Sequence, residues 1–163
     1  MEEYREILLS QESKHARTLL LEHDITCRQI DFGDDPVLYL ARSHWTNRFD
    51  EKRESTIGLF FAIWVSPVLL KENRFAYNIH SKQLRKLVGY KLTSRKFAEE
   101  FRRAVEANVR SWPGVSLSYG PGTLLEGRDI CNIDDFANKV ERRIEGFVGI
   151  YKVIDDLLEA SAN

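Results

Sequence analysis

The chain has 163 residues, with 24 Lys and Arg against 25 Asp and Glu, a net charge of −1, and 43% hydrophobic residues. This near-neutral total excludes a globally basic nucleic-acid binder and a highly acidic mimic, and nine Phe, six Tyr and three Trp exclude a disordered chain. The length predicts one domain over 1–163, or a tight pair of subdomains, able to bury roughly two-thirds of its unfolded surface without staples.

Residues 3–22 carry Tyr4, Ile7, Leu8, Ala16, Leu19 and Leu20 near helical spacing around a polar centre, which predicts one helix or two short ones. From Ile25 to Phe32 apolar and polar residues alternate, with a change of phase between Cys27 and Ile30 that predicts a bulged strand. A turn at Gly33-Asp34-Asp35-Pro36 leads to a second strand over Val37–Ala41, antiparallel because so short a connection permits nothing else. Ser43–Ser55 has no apolar period and reads as a long exposed loop holding His44, Trp45 and Phe49.

Thr56–Val65 is continuously apolar, the texture of a central strand covered on both faces, and Pro67 ends it. Arg74–Ile79 alternates again as a returning strand, and Ser81–Val88 reads as a short helix stopped near Gly89. Thr93 or Ser94 starts a longer helix with the stripe Phe97, Phe101, Val105, Val109 and Trp112. Val115, Leu117 and Tyr119 predict a strand, turned at Gly120-Pro121-Gly122 into a weaker one over 124–131.

Asn132 is placed to cap a last helix to about Ala160, whose apolar row steps by four and three from Ile133 to Leu158. Beyond Gly146 a second row appears (Val148, Ile150, Val153, Leu157). Such a helix either crosses the sheet inside the domain or forms a homodimer through its C-terminal half. The expected fold is therefore α+β: an antiparallel sheet of about five or six strands packed against an N-terminal helix, two central helices and a long C-terminal helix.

Cys27 and Cys131 stand far apart with no metal-ligand spacing, so neither a disulfide framework nor a zinc site is indicated. The N-terminus Met-Glu-Glu-Tyr-Arg-Glu is acidic where a secretory leader is basic. The longest uncharged run, Ser55–Leu70, is interrupted by Gly58, Ser66 and Pro67 and falls short of the ~18 apolar residues of a membrane span. A cytoplasmic protein with no membrane contact is expected.

Phosphate-loop, nucleophile-elbow and zincin motifs are missing, and no cofactor or metal is indicated. Glu12-Ser13-Lys14 and Asp50-Glu51-Lys52 imitate a nuclease string, but on a helix and in a loop rather than on a strand; Asp31, Asp34 and Asp35 form a solvated acidic turn. Of the four histidines none pairs with another at ligand spacing. His44, beside Trp45, and His80, at a strand end, are the acid–base candidates if the protein is an enzyme.

Residues 80–103 hold eight cations against Glu99 and Glu100, a net of +6 that leaves −7 for the remainder. Lys82, Arg85 and Lys86 share a face at helical spacing, Tyr90 and Lys91 follow, and Arg95 and Lys96 open the next helix, where cations oppose its dipole. Fixed cations around a ring can meet an acidic protein surface, or grip phosphates and stack on a base. The leading expectation is a non-catalytic interaction protein that engages an acidic partner through 80–103. A nucleic-acid-binding or nucleic-acid-processing protein comes second, and a small hydrolase using His44 or His80 third.

Overall fold

The computed structural model describes residues 1–11, 15–47 and 57–163. Strands β1 Thr26–Phe32, β2 Asp35–Ala41, β3 Gly58–Trp64, β4 Arg74–Lys82 and β5 Thr123–Ile130 form one antiparallel sheet in chain order. Around it lie helices α1 Glu2–Ser10, α2 His15–Glu22, α3 Pro67–Lys71, α4 Ser94–Val109, α5 Phe136–Val148 and α6 Tyr151–Ala160. The class is α+β, as the sequence predicts, and the polar centre of the first helical stretch separates two short helices.

Residues directly opposite in a ladder share a face. Leu38 and Leu40 of β2, Phe61 and Ile63 of β3, and Tyr77 and Ile79 of β4 therefore line one face, and all are fully buried. Helices cover this face: Phe61 stacks on Phe147 of α5 with ring centroids 4.6 Å apart, and Phe75 meets Phe136 edge-on. Tyr39, Phe60, Ala62 and His80 belong to the opposite face, where Phe60 stacks on Tyr39 at 4.8 Å. Because β3 is buried on both faces up to Trp64, its sequence reads as a continuous apolar run.

The stripe of α4 is buried from Phe97 to Val109, as its period demands. Asn132 does not cap the C-terminal helix as its sequence position suggests: α5 begins at Phe136 with Asp135 at its N-cap and no side-chain cap bond, while Asn132 Oδ1 accepts from the backbone N–H of Asp134 and Asp135, and Asp135 Oδ1 from that of Asn132, closing the turn that leads into the helix. The helical segment 136–160 is interrupted at Gly149 and Ile150, where Ile150 N–H reaches only to the Phe147 carbonyl, the tighter i to i−3 pattern. Ile144, Phe147, Tyr151, Ile154 and Leu158 are buried, and the second row, including Val148, Val153 and Leu157, packs against the same core. Both rows are thus used within the chain.

Four further local expectations are overturned. β1 carries no bulge; it is an edge strand in an unbroken ladder, with Cys27 and Ile30 on opposite faces and each half-buried. The register shift occurs between Ile79 and His80, against β5. No α-helix spans 81–88: β4 continues to Lys82, which pairs with Gly58, Gln83 turns left-handed at φ 50°, and a single 3-10 turn over Leu84–Lys86 buries Leu84 and Leu87. The strand expected over 115–119 shrinks to one bridge, Ser116 with Glu126. Arg102 of α4 instead ties the end of that loop to the start of β5, donating to the carbonyls of Tyr119 and Gly120 and to those of Thr123 and Leu124.

The fourth concerns the long loop. Ser43–Trp45 forms a 3-10 turn and Trp45 is fully buried. Its packing depends on Gly58, which sits at φ +129° and whose missing Cβ would lie 2.1 Å from the Trp45 carbonyl oxygen. Phe49, the 48–55 part of the expected loop and the strings at 12–14 and 50–52 fall outside the described residues.

Candidate functional site

The 42–45 turn is held by one carboxylate from α6. Asp155 Oδ1 accepts from Trp45 Nε1 at 2.7 Å and from His44 Nε2 at 2.8 Å, and Oδ2 pairs with Arg42. Arg42 also lies 5.7 Å over the Tyr151 ring, whose hydroxyl is 2.9 Å from His23 Nδ1. Trp45 anchors this network to the core, where it meets Phe147 edge-on. Because Asp155 faces a cation and two ring N–H groups, it serves as an acceptor only, and that assigns the His44 proton to Nε2.

A concave surface lies on either side of the turn. The larger, about 630 Å³, opens between α2 and β1; its Arg42 and Asp24 lie 3.8 Å apart and partly neutralise each other. The smaller, about 420 Å³, is walled by His44, Thr46 and Asn47 on one side, by Val88, Gly89 and Tyr90 on the other, and closed by Ala162. His44 and the middle of the basic segment, distant in sequence, therefore share one cavity.

That segment is pinned rather than loose. Asn47 donates to the Lys86 carbonyl and accepts from Val88 N–H, both at 2.9 Å. Lys91 N–H donates to the Ser161 carbonyl and Asn163 N–H to that of Gly89, which forms a bridge between Tyr90 and Ala162. Arg85, Lys86, Lys91 and Arg95 are exposed, and among the described residues none makes an ion pair.

The other sequence-derived candidates separate from this group. Lys82 leaves on the strand and reaches over Phe60, 5.7 Å from its centroid. Lys96 lies 3.9 Å from Glu100 on the surface of α4. His80 is on the sheet face away from the helices, its ring 5.1 Å from that of Phe60. Burial pushes it down to about 4, Lys82 adds to that, and the Gly122 carbonyl opposes it. Arg102, counted in the charge run, is spent on loop carbonyls.

Asp155 and Arg42 escape a reading of the sequence because they meet across 113 positions. One signal existed: Asp155 follows Tyr151 by four residues, so it shares the buried face of its helix, where a carboxylate needs a partner. Cys131 is buried, which pushes its thiol up to about 11 and makes it a packing residue. Among the described residues no three His, Cys, Asp or Glu side chains converge as metal ligands, and no helix is long and apolar enough to cross a membrane. No protein-family model, curated protein or solved structure matches the chain.

Proposed function

We propose that the protein is a non-catalytic binding protein that takes an acidic segment of a protein partner along the strip from Arg85 to Arg95, at the mouth of the smaller cavity. The observation that carries this reading is the combination of exposed, unpaired cations with a backbone pinned at Lys86, Val88, Gly89 and Lys91. A pre-arranged set of charges loses less conformational freedom on binding than the same charges on a mobile loop. Val88, at 78% exposure, adds an apolar contact in the middle of the strip.

Nucleic acid is the less favoured partner. Base stacking needs a free ring face, but Tyr90 is half-buried, bridged to Ala162 and packed against the core. A hydrolase is less favoured still. His44 is oriented as a base would be, yet no serine or cysteine lines its cavity.

The test is equilibrium binding of a labelled poly-glutamate peptide and, separately, a single-stranded oligonucleotide. The peptide is expected to bind, to weaken as salt rises from about 50 to 200 mM, and to be lost on combining Arg85→Glu, Lys86→Glu and Lys91→Glu. Tighter binding of the oligonucleotide, or peptide binding indifferent to the charge reversal, overturns the reading.

A further inference from the structure

Part of the polar lining of the smaller cavity is already occupied within the protein. Both ends of the Asn47 amide serve the backbone of 86–88. Val88, Gly89 and Ala162 contribute no polar side-chain atom. That leaves the His44 imidazole and the Thr46 and Tyr90 hydroxyls as the side-chain groups that can recognise an occupant, and of these the imidazole alone carries an acceptor whose direction is fixed from within the protein.

His44 is not a generic polar group. Its Nε2 proton is directed to Asp155, so in the neutral ring Nδ1 presents a lone pair, and among the described residues it has no partner. The ring cannot easily turn to offer a donor instead, because Asp155 is itself fixed by Arg42 and by the buried Trp45. A fixed acceptor selects for a hydrogen-bond donor. A carboxylate in the cavity would require the ring to take up a second proton at Nδ1, and an ammonium would be repelled by the cations at Arg85, Lys86 and Lys91 in the same segment. A neutral hydroxyl meets neither obstacle.

We propose that the cavity is an anchor subsite for a serine or threonine hydroxyl carried within the acidic segment, the hydroxyl donating to His44 Nδ1. The inference rests on the acidic-partner reading: the exposed cations hold the flanking carboxylates, and the cavity selects the residue between them. Charge supplies attraction, and the single hydrogen bond supplies register and discrimination.

The test uses the full chain and three labelled peptides: glutamate-rich with a central serine, the same with a central alanine, and a glutamine-rich version of the serine peptide. The acidic serine peptide is expected to bind roughly 3- to 10-fold more tightly than the acidic alanine peptide, the range one hydrogen bond provides. In His44→Ala that ratio is expected to fall to one. Equal binding of the two acidic peptides to the native protein overturns the anchor and leaves the charge reading standing. Failure of both acidic peptides, or equal binding by the glutamine peptide, overturns the charge reading on which the anchor rests. As a measurement independent of any variant's folding, imidazole nitrogen NMR of the native protein is expected to show His44 protonated at Nε2, with the Nδ1 resonance moving on addition of the acidic serine peptide alone; an Nδ1-protonated ring overturns the anchor.

Discussion

Tyr77 crosses the sheet directly above Gly127, where an added Cβ would lie 2.1 Å from its hydroxyl, and from there it donates to the Pro113 carbonyl at 2.6 Å. Gly127→Ala is therefore expected to cost about 2–3 kcal/mol by overpacking, measured by urea denaturation. His80 gives a pH signature of its own. Its folded value of about 4 lies below the unfolded 6.5, so between these values the unfolded chain binds a proton that the folded chain refuses. Stability is full above pH 6.5, declines as pH falls toward 4, and stays lowered below that, by on the order of 2–3 kcal/mol. In His80→Gln the slope across this window is expected to flatten relative to the native protein; an identical slope would refute the assignment. Neither residue could be placed from sequence, because each depends on which face its strand turns toward the helices.

At the level of elements, the best-read ones state their burial locally. The α4 stripe is a pattern of closely spaced residues and is buried as its spacing predicts, whereas Asn132, expected to cap the last helix, closes the turn before it. Asn132→Ala removes the acceptor for two backbone N–H groups and is expected to cost about 1 kcal/mol in chemical denaturation. The failures lie where a distant group decides. The 115–119 stretch alternates like a strand, but only Ser116 bridges to Glu126, and Arg102 draws the far end of the stretch to α4 through the Tyr119 and Gly120 carbonyls. Arg102→Ala is expected to raise amide exchange in 116–124 while α4 keeps its protection; a uniform loss of protection would show that the arginine supports the whole fold instead. Likewise, the helical spacing of 81–88 yields to the β4 ladder, which holds Ser81 and Lys82 in extended backbone.

Across the whole molecule, charge and core are separable. The buried apolar residues run continuously from Leu8 to Leu158, whereas Arg85, Lys86, Lys91 and Arg95 stand outside the core. Combining Arg85→Glu, Lys86→Glu and Lys91→Glu is therefore expected to leave stability within about 0.5 kcal/mol of native, read from the urea midpoint. A large loss would mean that these cations hold the fold together and would remove the reason to assign them to a partner.

Local composition and period were enough to determine the α+β class, the hairpin order of the first strands, α4 and the concentration of positive charge in 80–103. These are properties of neighbouring residues, since helix and strand periods and turn chemistry act over a few positions. The tertiary structure alone decided that Trp45 is core, that Asp155 holds Arg42 and His44 together, that His80 stands apart, and that His44 and Tyr90 share a cavity. Each of these joins segments far apart in the chain, and such contacts exist only once the sheet and helices have packed.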